Sequence, residues 1–166
     1  MKTLMIVTGV ALAAQMTTAV AQEAKAEEPA MAAEEKKADV EVTVEGNDTL
    51  KFDKTEFSVK EGQSVALTFK NTGKLPKIAM GHNLVIVKPG TEPLSFAAGC
   101  AANKDTTGLP SDAAALEKVV ASTKVLGPGE IEVLTFTAPA PGEYPYICTF
   151  PGHAAIMKGV MKVEAK

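Results

Sequence analysis

The 166-residue chain has no arginine and no tryptophan, and only two tyrosines, two cysteines and two histidines. Without arginine there is no planar fork for bidentate phosphate contacts, and a net charge of −3 accompanies no basic stripe. Nucleic acid is excluded as a partner on these grounds. Also missing is an uninterrupted apolar run of the ~20 residues that a membrane-crossing helix needs, so no stable membrane insertion is expected. The longest candidate, Leu4 to Ala14, is short and broken by Thr8 and Gly9. It follows Lys2 and precedes Ala19-Val20-Ala21, the small-residue pattern read by a signal peptidase. Residues 1–21 are therefore expected to be a signal peptide cleaved before Gln22, delivering the chain to the periplasm. No cysteine precedes Cys100, which excludes an acylated lipoprotein N-terminus.

Residues 22–39 consist mainly of Ala, Glu and Lys, with almost nothing large to bury, and read as a solvated, disordered linker. From Val40 to the C-terminus (40–166) the pattern is that of one domain. Val40-Glu-Val-Thr-Val44, Leu50-Lys-Phe52 and Phe57-Ser-Val59 alternate with period two. Further short runs follow at Val65–Phe69, His82–Val87, Ile131–Phe136, Gly142–Ile147 and Val160–Val163, punctuated by Gly and Pro. This spacing predicts an all-β domain, an antiparallel Greek-key sandwich or barrel. Between Thr91 and Thr123 the pattern lapses. Leu94–Ala102 and Asp112–Val120 are Ala-rich, with Ser111 as a candidate N-cap, and predict a short external helical insertion covering a sheet edge. Cys100, in the first of these stretches, reads as a buried apolar residue.

What the chain does have is concentrated. Cys148-Thr-Phe-Pro-Gly-His153-Ala-Ala-Ile-Met157 places a thiolate, an imidazole and a thioether within ten residues, and Gly81-His82-Asn83 offers a second imidazole upstream. One Cys, two His and a weak axial Met make up the ligand set of blue-copper electron-transfer sites. Thiolate and thioether favour Cu(I) and imidazole accommodates Cu(II), so a compromise geometry lets one copper ion change charge with little rearrangement. Singly, each residue reads better in plainer terms, Cys148 as a small buried apolar residue, Met157 as core filler and His153 as a surface-loop histidine; the copper reading rests on the three together with their spacing. A Cys100–Cys148 disulfide is the competing reading for an exported chain with two cysteines, and it conflicts with a thiolate ligand.

Through Met80-Gly81-His82-Asn83 and Cys148 to Gly159 the chain resembles the azurins, type 1 copper proteins of the cupredoxin family. The likeness runs from about Asn47 to the C-terminus and includes Leu75-Pro-Lys77 and Lys124-Val-Leu-Gly127. It implies a cupredoxin-like fold with His82, Cys148 and His153 as equatorial ligands. It further implies Met157 as a weak axial ligand and the Gly81 carbonyl approaching from the opposite side. Asn83 is implied to tie the two ligand loops together, and Thr149 matches the residue that follows the cysteine. Three departures stand out. Leu84 occupies the place of a core Trp, the family's disulfide has no counterpart in the N-terminal strands, and the extra histidines of many azurins are absent.

The implied function is single-electron transfer, not enzyme catalysis. The expected partners are redox proteins such as c-type cytochromes or a periplasmic reductase or oxidase, and the expected state is a monomer. Leu75, Met80, Phe150, Pro151 and Ala154 flank the ligand loops and are candidates for an apolar collar around one imidazole edge. An enzymatic multicopper protein would need further ligands that two histidines cannot supply. A periplasmic copper carrier remains the alternative, although Met31, Met80, Met157 and Met161 are scattered and form no Met-rich stretch. Structural zinc is disfavoured because thioether is a poor fourth ligand for it.

Overall fold

The computed structural model describes residues 37–166. The expected signal peptide and most of the expected linker lie outside these residues. Asp39, at the end of that linker, is already part of the fold. Its N–H donates to the Ser64 carbonyl (2.8 Å), and its carboxylate accepts from the Ser64 N–H (2.8 Å).

Nine strands form two sheets among the described residues. They are β1 (Val40–Asn47), β2 (Lys51–Phe52), β3 (Glu56–Lys60), β4 (Ser64–Asn71), β5 (Val85–Val87), β6 (Val119–Ser122), β7 (Ile131–Thr137), β8 (Gly142–Ile147) and β9 (Lys158–Glu164). One sheet has the order β2-β1-β4-β7 and the other β3-β9-β8-β5-β6, giving the expected Greek-key sandwich. The expectation of purely antiparallel pairing needs correction, because β1 pairs with β4 and β3 with β9 in parallel. The reason lies in the connection. Between Asn47 and Ser64 the chain makes β2, crosses to the other sheet as β3 and returns, a path long enough to bring β4 in beside β1 in the same direction. Such a pairing leaves no local trace in either strand.

Alternation in β4 shows how the sequence pattern becomes a core. Val65, Leu67 and Phe69 are buried while the residues between them are partly exposed. Phe69 meets Phe52 edge-on (centroids 5.9 Å), and Phe52 meets Tyr146 at 5.3 Å. The Tyr146 hydroxyl reaches the Lys54 carbonyl at 2.6 Å, so its one polar atom is satisfied. Leu84 is fully buried among these groups, which fill the interior without an indole.

Three short helices complete the domain: α1 (Lys77–Met80), α2 (Pro93–Gly99) and α3 (Ala113–Leu116). A 3₁₀ turn follows α2 at Ala101–Asn103. The insertion is helical and external as expected, with three corrections. The N-cap of α3 is Asp112, whose carboxylate accepts from the Ala115 N–H, and the helix ends at Leu116 because Val119–Ser122 pairs with β5 as β6. Moreover, α2 covers a sheet face and not an edge. Phe96 and Cys100 pack on Val85, Val87 and Ile147, which is why β5 is buried along its whole length. Cys100 is the buried apolar residue expected. Burial pushes its thiol up to about 11, and its Sγ donates to the Phe96 carbonyl at 3.3 Å.

Candidate metal centre

At one end of the sandwich His82, Cys148 and His153 converge. Cys148 follows the last residue of β8, so a strand anchored on both sides delivers it. Its backbone N–H donates to the Met157 carbonyl at 3.0 Å, closing the loop 148–157 at its base. Within that loop the Phe150 carbonyl accepts from the His153 N–H at 3.0 Å, and Gly152 between them has φ +84°. A type II turn requires a left-handed backbone at its third position and favours proline at its second, so Phe150-Pro-Gly-His153 folds back locally. The turn brings His153 towards Cys148. The Met157 N–H then donates to the His153 carbonyl at 2.8 Å.

His82 arrives from the other direction. It was expected to open a strand, but it sits just ahead of β5 in an isolated bridge with Leu126, held by paired backbone bonds of 3.1 and 2.7 Å. Leu126 is held in turn by Asn71, whose side-chain amide donates to the Leu126 carbonyl at 2.9 Å. Asn71 reads in the sequence only as the end of a strand. In the structure it is a buried clamp behind the upstream imidazole.

The two ligand loops are tied by Asn83. Its side-chain amide donates to the Thr149 hydroxyl and its carbonyl oxygen accepts from the Thr149 N–H, both at 2.8 Å. All four groups are buried. This is the cross-link implied by the resemblance.

The donor atoms of His82, Cys148 and His153 lie within 4.8 Å of one another. Cys148 Sγ is 3.9 Å from His82 Nδ1 and 3.5 Å from His153 Nδ1. Two donors, each ~2.0–2.3 Å from a common ion, stand about that far apart. Burial lowers the pKa of both imidazoles, that of His153 to about 4 with His82 adding to the effect, while Asp48 partly opposes it at His82. Both rings are thereby held neutral, the form that coordinates metal. Burial raises the Cys148 thiol to about 11, against the backbone N–H groups of Asn83 and Phe150 that point at the sulfur. Only a cation in the site makes the thiolate the favoured state there. Three soft or borderline donors gathered without a carboxylate suit copper. Met157 is fully buried at the loop base, and Gly81 is buried where a Cβ would lie 2.6 Å from Val125 Cγ1 and 2.8 Å from the Lys77 carbonyl. Only glycine fits there.

The family model for copper-binding proteins of the plastocyanin/azurin family matches residues 38–164. The chain belongs to that family. It is 42% identical to azurin-1 of Alcaligenes xylosoxydans xylosoxydans over 130 residues, covering 76% of this chain and 98% of that protein. Among solved structures it is similar to the dithionite-reduced auracyanin of Roseiflexus castenholzii (40% identity, TM-score 0.67, 76% and 98% of the two chains). It is also similar to an azurin of Methylomonas sp. strain J (31% identity, TM-score 0.64, 76% and 99%). The match begins earlier than the resemblance at Asn47 suggested, taking in the whole of β1. A copper-binding electron-transfer protein with a cupredoxin fold is thus established at the level of the family. Among the described residues both cysteines are free, so the disulfide reading falls.

The collar residues divide. Phe150 and Ala154 are buried, with Phe150 tilted against the His153 ring at 4.8 Å, whereas Leu75 (45% exposed) and Pro151 reach solvent. Met80 is half-buried. Ile78 on α1, Leu94 on α2 and Ile156 in the loop 148–157 are further exposed apolar residues. Leu94, Ala97, Ala98 and Ala101 form a shallow apolar groove against Phe150, Pro151 and Ala154. Exposed residues that look like ordinary core formers in a linear pattern carry no signal of their position.

Proposed function

We propose that the protein is a periplasmic type 1 copper electron carrier in which His82, Cys148 and His153 would hold the metal. Met157 would add a weak thioether donor, and the Gly81 carbonyl would complete the set. The observation carrying this reading is the buried convergence of one thiol and two neutral imidazoles on a braced β framework. Copper held there supplies the one-electron Cu(I)/Cu(II) couple. The chain's own residues restrict rearrangement: Asn83 and Thr149 lock the loops, Leu126 and Asn71 hold His82, and the type II turn holds His153. His153, 4% exposed, is the ligand nearest solvent and the natural exit for an electron. Burial of all three donors supports electron transfer over copper delivery, which needs an exchange-prone metal. The partners are redox proteins such as c-type cytochromes or a periplasmic reductase or oxidase, met in brief contacts at the small end of interface sizes. The carrier acts as a monomer and catalyses no reaction of its own. Stopped-flow mixing of the reduced protein with oxidised periplasmic cytochromes tests the reading. Rapid, second-order electron exchange is expected, and inertness towards every such partner contradicts it.

For Met157→Leu, copper stays bound and blue while the reduction potential rises, because losing a weak donor destabilises Cu(II) more than Cu(I). Voltammetry of the loaded variant reads the shift. Copper loss as complete as on removal of the thiol would make Met157 a primary ligand and the assigned geometry wrong.

Met80→Lys tests the exit surface. Self-exchange places two copies face to face, and a new like charge on each slows it by about tenfold or more, while the visible spectrum is unaltered. An unchanged self-exchange rate, measured by NMR line broadening in mixed redox states, would place the exit elsewhere.

A further inference from the structure

Gly108, in the helical insertion, touches both ligand loops at the point where they are tied together. Its carbonyl accepts the hydrogen bond of the Thr149 hydroxyl. That hydroxyl also accepts from the Asn83 amide, so its proton is committed to Gly108 and one of its two lone pairs to Asn83. Such a chain of donors polarises each member in the same sense. Gly108 is itself fastened, its N–H donating to the Asn103 carbonyl at 2.9 Å. Two residues earlier, the Thr106 carbonyl accepts from the Val125 N–H at 2.9 Å.

Two independent constraints require glycine here. Its φ of +63° is left-handed. A Cβ would also collide with the Asn83 amide nitrogen and lie 2.8 Å from Thr149 Oγ1 and 2.9 Å from Val125 Cγ2. Gly90, Gly129 and Gly152 share the left-handed backbone but have open space where a Cβ would stand. An ordinary turn glycine explains those three and leaves the crowding at Gly108 unexplained.

We propose that Gly108 is a positioning residue: it pins the helical insertion onto the Asn83–Thr149 pair and so holds the His82 and Cys148 loops in register. The insertion then braces the metal site in addition to covering the outer face of β5. This role rests on the ligand reading above. Asn83 directly follows His82 and Thr149 directly follows Cys148, so a displacement at Gly108 reaches both ligands through one residue each.

The test compares Gly108→Ala with Gly90→Ala, which carries the same backbone penalty in open space, and with Thr149→Val, which removes the hydroxyl. In the copper-free protein, amide exchange at Thr149 should accelerate about tenfold or more in Gly108→Ala, beyond any change in globally exchanging core amides. Gly90→Ala should show no such excess. In the copper-loaded protein the reduction potential should shift for Gly108→Ala and not for Gly90→Ala. Thr149→Val should in turn expose the Gly108 amide to exchange, and adding Gly108→Ala to it should shift the potential by less than the two single shifts combined. If Gly108→Ala does not fold, Thr149→Val decides alone, and unchanged protection at Gly108 overturns the proposal. So does a folded Gly108→Ala that merely loses stability, with the Thr149 amide and the potential unmoved. A wild-type protein without a blue band would instead sink the ligand reading, and the copper-free exchange measurements would still report on the pin.

Discussion

Cys148→Ser abolishes the intense visible band and tight copper binding while leaving the copper-free domain folded. The band requires charge transfer from a thiolate, and a serine hydroxyl at this position neither ionises nor donates charge comparably. The fold survives for a local reason. The N–H groups of Asn83 and Phe150 that point at the sulfur remain to serve the new oxygen, so the exchange strands no buried donor. The core formed by Phe52, Phe69, Tyr146 and their neighbours lies along the sandwich and owes nothing to the metal. Absorption spectra and metal content of the variant, with thermal unfolding of both apo proteins, check the two halves. A variant that keeps the intense band would remove Cys148 from the ligand set.

Asn83→Leu has a large expected effect on stability. Leucine keeps the branched outline of asparagine but offers no partner to the Thr149 N–H, which stays buried and unsatisfied. Stranding one such donor costs about 1–3 kcal/mol, and losing the second bond to the Thr149 hydroxyl adds about 1 kcal/mol more. For a domain of this size, that total lowers the melting temperature by about 5–15 °C. Copper still binds, since none of the proposed ligand atoms is altered. Calorimetry of the copper-free variant reads the change. A melting temperature within a degree or two of wild type would mean that the Asn83–Thr149 bonds do not hold the loops together.

The convergence of His82, Cys148 and His153 was legible in the sequence because the loop that produces it is mostly local. Cys148, Pro151-Gly152, His153 and Met157 lie in one loop, and the turn that brings His153 back needs only the Pro-Gly pair within it. His82 was legible through its neighbours Gly81 and Asn83. What surrounds these residues was not. Asn71 and Leu126 steady His82 from strands and loops far away in the chain, and neither has a distinctive residue type. Gly108 sits in an insertion whose composition speaks only of short helices, and the contacts that give it significance come from Asn83 and Thr149. The parallel pairs of β1 with β4 and β3 with β9 were hidden for a similar reason, since an alternating strand does not encode the direction of its neighbour. The short α3 was overextended because Val119 and Val120 continue an Ala-rich run whose fate is decided by pairing with β5.

The most direct test of the account is a copper titration of the purified protein followed by repeated chemical reduction and reoxidation. One copper per chain is expected, with an intense blue band that saturates at that ratio and bleaches and recovers fully over many cycles with no metal released. A pale complex, a different stoichiometry, or copper lost to a chelator on reduction would contradict it and favour a protein that hands copper on.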